Sequence, residues 1–141
     1  MQINAARSVA RTCGSAAMAA TALLTWNDRL FSAAARHSRD TATRNYFSHI
    51  GLDGRNPAQR VAHEGCAWSW VGENIAAGQT AVSTVMGSWL ASPGHCANTM
   101  RPEFREVGVS WVQQPGRTWS LLDHGAGPSA VIASAARFQG L

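Results

Sequence analysis

Three polar side chains, His49, Glu73 and His95, stand in stretches of sequence that could bring them into one functional site. His49 follows an aromatic pair, and Glu73 lies in a glycine-flanked, mostly apolar run. His95 follows a Ser-Pro-Gly turn at 92–94, which ends an apolar helical pattern and fixes where the imidazole points. We predict that the three side chains converge in one cleft.

Two imidazoles and one carboxylate suit two kinds of chemistry. They form a ligand set for a divalent transition metal such as zinc, with positions open for water or substrate. They could equally do metal-free acid–base chemistry in which Glu73 orients a histidine. The motif H-E-x-x-H is absent, so the spacing alone also leaves ordinary hydrogen-bonded structural groups open. No partnered serine or cysteine nucleophile is evident, because Ser48 and Cys96 are only sequence neighbours of the histidines.

Composition limits the class of protein. The chain of 141 residues has the length of a single domain, and its net charge is +4. Every one of the 12 basic residues is an arginine, and they are scattered rather than clustered with aromatics, so nucleic-acid binding is poorly supported. Of the eight acidic residues, only Glu73 lies in an otherwise apolar stretch. No segment has the length of a transmembrane helix.

The cysteines, Cys13, Cys66 and Cys96, are an odd number without a C-x-x-C pair. This excludes a zinc ribbon and a thioredoxin-like motif. At most one bridge can form. One bridge and three buried, reduced thiols both remain open on spacing alone.

The helical elements follow from periodicity and caps. We predict a first helix at about Gln2–Arg11 with a loop around Cys13-Gly14, although the basic and then apolar residues up to 24 also imitate a signal peptide. Thr25 or Asn27 should cap a second helix that runs to about Thr43. One stripe of that helix should face the core, with His37 as a hydrogen-bonded core residue: Leu30, Ala34, His37 and Thr41.

Two further helices are predicted, Pro57–His63 after the cap Asn56 and Ala81–Ala91 after the cap Thr80. Strand-like spacing occurs at Cys66–Val71, and Glu106–Val112 and Thr118–Asp123 should form a hairpin through a turn at 114–116. Residues 126–141 are weakly patterned and should form a loosely attached tail. Helices before and after a few late strands indicate an α+β fold.

The sequence resembles the CAP superfamily (cysteine-rich secretory proteins, antigen 5 and pathogenesis-related proteins), in its compact bacterial SCP-domain form. The similarity runs from about Ile3 to Asp123, and its opening helix matches Ile3-Asn4-Ala5-Ala6-Arg7. The other matching segments, in order, are Phe47-Ser48-His49, Gly72-Glu73-Asn74-Ile75-Ala76, Trp89-Leu90-Ala91-Ser92-Pro93-Gly94-His95, Asn98 and Gly108-Val109.

The resemblance implies a three-layer α-β-α sandwich with a small antiparallel sheet. We expect one domain at 1–125 and a tail at 126–141. It also implies a secreted, extracellular or periplasmic protein. Because the N-terminus matches the mature domain, we expect that a signal peptide is missing from this sequence.

The resemblance also assigns residues. In some members two histidines and two glutamates hold a divalent ion, and His49, Glu73 and His95 match three of those four. The second glutamate has no counterpart, and Ser92 lies near its place. Cys13 and Cys96 resemble cysteines of a bacterial subgroup that could staple the first helix to the cavity wall, and for a separation of 83 the chain-entropy model gives about 4.5 kcal/mol. We expect Cys66 to be free.

This fold hosts lipid and sterol binders, signalling ligands and proposed proteases, so fold alone does not fix function. Our first hypothesis is a monomeric, non-catalytic binding module whose His/Glu-lined cavity takes a lipid, a cell-wall component or a partner protein. The alternative is a protease-like hydrolase that uses His49, Glu73 and His95, with or without zinc. In a third hypothesis the same polar groups only brace the loops.

Overall fold

The computed structural model describes residues 1–79 and 81–112 in full, and the strand backbones at 119–125 and 132–135. The helices in this part of the chain are α1 (Gln2–Arg7), α2 (Asp28–Arg44), α3 (Pro57–His63), α4 (Val82–Ala91) and α5 (Pro93–Met100). The strands are β1 (Arg11–Cys13), β2 (Ala16–Met18), β3 (Thr25–Trp26), β4 (Val71–Ala77), β5 (Glu106–Val107), β6 (Trp119–Gly125) and β7 (Ile132–Ala135).

One five-stranded sheet has the order β3-β5-β6-β4-β7, and β1 and β2 form a separate hairpin. β4 and β6 pair antiparallel over the full length of β4, from Val71 opposite Gly125 to Ala77 opposite Trp119. The edge strands β3 and β7 run parallel to β5 and β4. The sheet is therefore antiparallel at its centre and mixed overall. Each parallel edge pair is joined by a long stretch of chain, as parallel strands require, and not by a tight turn.

Helices cover both faces of the sheet. One core cluster joins α2 and α3 to Val71 of β4, and another joins α1 and α4 to Ala76. Side chains alternate along a strand, so positions 71 and 76 lie on opposite faces. This arrangement is the α-β-α layering of the predicted α+β fold.

The caps of α2 and α3 follow the predictions. Asn27, one of the two candidate caps, accepts hydrogen bonds from the backbone N–H groups of Arg29 (2.9 Å) and Leu30 (3.2 Å). Asn56 and Gln59 form a reciprocal capping box at the start of α3, with both contacts at 2.9 Å. The predicted inner stripe of α2 is buried, with at most 3% of any member exposed: Leu30, Ala34, His37 and Thr41.

The break between α4 and α5 occurs at Ser92, where the backbone is extended (φ −93°, ψ 120°). A residue before proline avoids the helical region, and Pro93 then suits the first position of a new helix. The predicted stop is confirmed, whereas the restart as α5 was not foreseen. Thr80, the predicted cap of α4, lies outside the described residues, and α4 begins one residue later than expected, at Val82.

The N-terminal prediction was partly wrong. α1 ends at Arg7 and not at Arg11, and the expected loop around Gly14 is the turn of the β1–β2 hairpin. Gly14 has φ 64°, a left-handed conformation that glycine adopts without strain. Where the prediction had the last turn of a helix ending at Arg11, Arg11–Cys13 instead pairs with Ala16–Met18.

The late strands also differ from expectation. Residues 66–70 form no strand, and the described pairing of β4 with β6 begins at Val71 opposite Gly125. The antiparallel pairing of the predicted hairpin is confirmed at Glu106 opposite Gly125, while residues 108–112 are not strand and the turn at 114–116 lies outside the described residues. Ile132–Ala135, inside the expected loose tail, forms β7 and pairs with β4, so that expectation is wrong for these four residues. The boundary at 125 stays a prediction.

Candidate functional site

His49, Glu73 and His95 line one open cleft of about 660 Å³, here called the main cleft. The predicted residues therefore reach a common hollow, although they come from three separate parts of the chain. Their shared chemical role stays a prediction. The remaining lining residues are Met18, Asn74, Ser92, Gly94, Ala97, Asn98, Arg101, Pro102 and Glu103.

The side chain of Glu73 is buried, with 1% of it exposed, and both of its carboxylate oxygens have close partners. Oε1 lies 2.6 Å from Nδ1 of His49, whose ring is half exposed. Oε2 accepts a hydrogen bond from Nη2 of Arg60 at 2.5 Å. A buried carboxylate needs such pairing, because desolvating an unpaired charge costs several kcal/mol.

Arg60 of α3 is the residue that sequence analysis missed. Only 9% of its side chain is exposed. Besides Glu73 it donates to the backbone carbonyls of His49 (2.7 Å) and Arg55 (3.1 Å). One guanidinium thus neutralises Glu73 and fixes the loop that carries His49. In the sequence Arg60 was one of twelve scattered arginines, and only its place on a capped helix distinguished it.

His95 lies in the first turn of α5, and its Nδ1 is 2.9 Å from Oγ of Ser92. Ser92 holds the N-cap position, but its hydroxyl bonds the histidine and no backbone N–H of the helix. The imidazole also stacks on Trp89, with 6.2 Å between ring centroids. Burial lowers the pKa of His95 below 6.5, and the nearby charge of His49 lowers it further, which favours a neutral ring at pH 7.

Asn74 links β4 to α5 on the side of the sheet opposite Glu73. Its Nδ2 donates to the carbonyl of His95 and to Oγ1 of Thr99, both at 3.2 Å, and its Oδ1 accepts from Asn98 at 2.9 Å. Strand alternation therefore directs Glu73 towards α3 and its neighbour Asn74 towards α5. The sequence contained the signal, since Asn74 and Asn98 both belong to the matching segments, but their role needed coordinates.

The disulfide lies beside the cleft. Cys13 and Cys96 are bonded, with 5.4 Å between their Cα atoms, and Cys66 is a free, buried thiol. Both cysteine predictions are confirmed. The bridge attaches β1, and not the first helix itself, to α5 next to His95.

A divalent ion does not fit these side chains as they lie. Within the fully described residues no three His, Cys, Asp or Glu side chains are arranged to hold a metal. Both oxygens of Glu73 are engaged, and Ser92, which bonds His95, supplies no charge where a second carboxylate would help. Zinc binding stays a prediction of the resemblance, and no chemical step is derived through it.

A second open cleft of about 390 Å³, the side cleft, shares His49 and Glu73 with the main cleft. Its other lining residues are Asn56, Pro57, Ala58, Val71 and Gly72. The His49–Glu73 pair thus forms the boundary between two hollows.

None of the helices in the described residues is both long and apolar enough to cross a bilayer.

Comparison with known proteins agrees with this geometry. Residues 2–122 match the sequence model of the cysteine-rich secretory protein family, CAP. An uncharacterized protein of Bacillus subtilis (strain 168), YkwD, is 32% identical over 94 residues, which are 67% of this chain and 36% of that protein. An uncharacterized membrane protein of the same strain, YlbC, is 28% identical over 62% of this chain and 25% of its own length. The chain therefore spans about a third or less of these relatives.

Solved structures show the same fold. An extracellular protein with an SCP domain from Bacillus anthracis str. Ames has a TM-score of 0.62 and 31% identity over 64% of this chain and 30% of its own. An outer surface protein of Borrelia burgdorferi has a TM-score of 0.64 at 21% identity, over 68% of this chain and 71% of its own. The second is a likeness of fold alone.

Proposed function

Because the chain belongs to the cysteine-rich secretory protein (CAP) family, we propose that it is an extracellular, non-catalytic binding domain for an extended polar ligand, a segment of a cell-wall component. Two observations support the location. A disulfide such as Cys13–Cys96 persists in oxidising compartments. The Bacillus anthracis relative is itself an extracellular protein.

The observation that carries the proposal is that two open clefts meet at one polar pair. The main cleft and the side cleft, about 660 and 390 Å³, both use His49 and Glu73 as a wall. A small compact ligand would need only one hollow. A chain-like ligand can lie across His49 and contact both sides.

The openness of the main cleft and the polar residues along it favour a polar ligand over a lipid. Ser92, Asn98, Arg101 and Glu103 line it together with apolar surface. A lipid tail gains free energy by leaving water for an enclosed apolar cavity, and an open cleft with a mixed lining offers less of that gain.

The pairing of Glu73 favours binding over catalysis. A general base needs a carboxylate or imidazole that is free to take a proton from the substrate. Glu73 is instead held between Arg60 and His49, an arrangement that braces the cleft and sets the direction of the His49 ring. His49 then offers a fixed, half-exposed imidazole to a ligand.

Binding can be measured by sedimentation with insoluble, purified peptidoglycan. We expect the wild type to sediment with the polymer and His49→Ala to lose about tenfold in affinity, which corresponds to one charged or strong neutral hydrogen bond. His63→Ala is the matched control, because His63 is exposed on α3 and lines neither cleft. Equal sedimentation of all three proteins contradicts the proposal.

A substitution in the side cleft tests whether the ligand also occupies that hollow. Ala58→Trp fills that hollow from α3 without touching the main cleft. We expect it to weaken binding of long soluble fragments and to leave the binding of the shortest ones unchanged. Loss of both together would show that one hollow receives the whole ligand.

A second candidate function is hydrolysis, and one contact favours it: Oγ of Ser92 lies 2.9 Å from His95 in the main cleft. Oγ of Ser92 would attack a carbonyl carbon while its proton passes to Nδ1 of His95; the tetrahedral intermediate would then expel the leaving group, which takes that proton from His95, and water would later release the acyl group from Ser92. In the described part of the chain no carboxylate orients His95 as the third member of a triad does. Covalent labelling of Ser92 by a fluorophosphonate, absent in Ser92→Ala, would support this function over binding.

The expected zinc is tested separately by metal analysis after dialysis. Stoichiometric zinc in the wild type that is lost in His49→Ala would show that the site rearranges to hold an ion. Because Glu73 is already paired with Arg60, a zinc-bound protein that used this carboxylate would have to give up that pair.

A further inference from the structure

Arg101, at the mouth of the main cleft, directly follows α5. Its backbone is fixed, since its carbonyl accepts a hydrogen bond from the buried guanidinium of Arg7 at 3.0 Å. Its side chain is 40% exposed. The residue therefore has a rigid base and a solvent-accessible head in the cleft that we propose binds ligand.

The guanidinium of Arg101 is held over an aromatic ring. Its central carbon lies 4.4 Å from the ring centroid of Trp70 and 5.8 Å from that of Phe104. Such cation–π contacts orient the planar group as well as stabilise it. Nε lies 3.3 Å from a carboxylate oxygen of Glu103, an ion-pair distance without a hydrogen bond. The aromatic rings therefore place the guanidinium before any ligand arrives.

The terminal nitrogens distinguish Arg101 from the other arginines near the site. The guanidinium of Arg7 donates to four backbone carbonyls, and Nη1 and Nη2 of Arg60 donate to carbonyls and to Glu73. No hydrogen bond among the described residues uses Nη1 or Nη2 of Arg101. Two parallel donors on a pre-oriented plane match a planar, two-oxygen acceptor.

Two carboxylates line the main cleft, and Glu73 is already paired with Arg60. Glu103 remains beside Arg101 and repels a second negative group. One free guanidinium edge next to one carboxylate suits a singly charged anion, whereas a phosphate polymer would call for several basic side chains.

We propose that Arg101, held over the ring of Trp70 at the main cleft, binds a carboxylate of the ligand. This inference rests on the proposed function and narrows it: the extended polar ligand carries carboxylate groups. Trp70 is the positioning residue for this contact.

Calorimetric titration with a soluble disaccharide–tetrapeptide from peptidoglycan, and with the same fragment after amidation of its carboxyl groups, tests the inference. We expect amidation to weaken binding to the wild type about ten- to hundredfold, the size of a bidentate charged hydrogen bond. In Arg101→Gln the two forms should bind equally and weakly. Glu103→Gln is the matched variant, because it removes a negative charge where Arg101→Gln removes a positive one. The acidic fragment should bind to it at least as tightly as to the wild type.

The possible outcomes distinguish the carboxylate contact of Arg101 from the proposed binding function. If the wild type binds both forms equally, and both lose affinity in His49→Ala, the carboxylate contact is wrong and the binding function stands. If neither form binds, both are overturned. Thermal unfolding of Arg101→Gln and Arg101→Lys shows whether a loss of binding is a loss of fold; Arg101→Lys should keep only part of the preference for the acidic form, because an ammonium cannot make the bidentate contact.

Discussion

Glu73 is the residue on which the geometry of the cleft depends most. It carries a buried carboxylate between the His49 ring and the Arg60 guanidinium, and so ties the loop after α2 to α3 and to β4. The sequence singled out Glu73, because it is the one acid in an apolar, glycine-flanked stretch. It could not single out Arg60 or the Ser92–His95 contact, because these depend on which helix face meets which strand.

Replacing Glu73 by Gln should lower the free energy of unfolding by about 3 kcal/mol, since it leaves Arg60 buried without its anion. Urea denaturation measures this change. Glu103→Gln is the control: its carboxylate lines the same cleft but is 39% exposed, and its pair with Arg101 should contribute about 1 kcal/mol or less. Equal losses in the two variants would contradict the buried-pair account.

His37 makes the stability depend on pH. Its Nε2 lies 2.9 Å from the carbonyl of Ser48, as expected for a core histidine, and burial together with the charge of Arg60 lowers its pKa below 6.5. The unfolded chain then binds a proton that the folded protein excludes, so the free energy of unfolding should decrease as the pH falls below about 6.5. The lowered pKa of His95 acts in the same direction.

Urea denaturation at pH 7.5, 6.5 and 5.5 measures this slope. We expect His37→Gln, which keeps a hydrogen-bond donor for Ser48, to show a shallower decrease than the wild type. A stability that rises towards pH 5.5, or an unchanged slope in the variant, would show that the sign is wrong.

At the scale of elements, local sequence signals explain where α2 and α3 begin and where α4 ends, but not where α1 ends. The caps Asn27 and Asn56 and the break at Ser92-Pro93 were all readable, because capping and proline geometry are local. The strands were less predictable. Cys66–Val71 has strand-like spacing but only its last residue lies in β4, and β7 lies in a stretch with little pattern, since pairing is decided by distant residues.

The packing of α2 against the sheet gives a sharp prediction at Gly108. A Cβ atom there would collide with the backbone of Leu30 and Phe31 at the start of α2. Gly108→Ala should therefore lower the free energy of unfolding by about 3 kcal/mol. The contrast is Gly87→Ala in the exposed face of α4, where nothing lies within 4 Å and alanine should raise stability by about 0.5–1 kcal/mol. Thermal unfolding of the two variants should give shifts of opposite sign.

For the whole molecule, two helical layers and one disulfide hold the cleft in shape. The α1–α4 core and the α2–α3 core lie on opposite faces of the sheet, and the bridge from Cys13 to Cys96 closes a separation of 83 residues. Its pairing followed from resemblance, since spacing alone left reduced thiols equally open. Because the loop is long, the bridge should contribute strongly to stability.

Reduction should lower the free energy of unfolding by about 4.5 kcal/mol in the chain-entropy model. Denaturant titrations with and without dithiothreitol measure the difference. The double variant Cys13→Ala, Cys96→Ala should not respond to the reductant, whereas Cys66→Ala should respond as the wild type does, because Cys66 is a free thiol. A response that follows Cys66 would contradict the pairing.

The central claim, that an extended polar ligand lies across the His49–Glu73 pair without being cleaved, is tested most directly by one nuclear magnetic resonance titration. Isotope-labelled protein is mixed with soluble peptidoglycan fragments of increasing length, and both protein and ligand signals are followed for a day. We predict shifts at main-cleft residues such as Asn98 with short fragments, added shifts at side-cleft residues such as Ala58 with long ones, and unchanged ligand signals throughout. Shifts that avoid both clefts, or new signals from cleaved ligand, would contradict it.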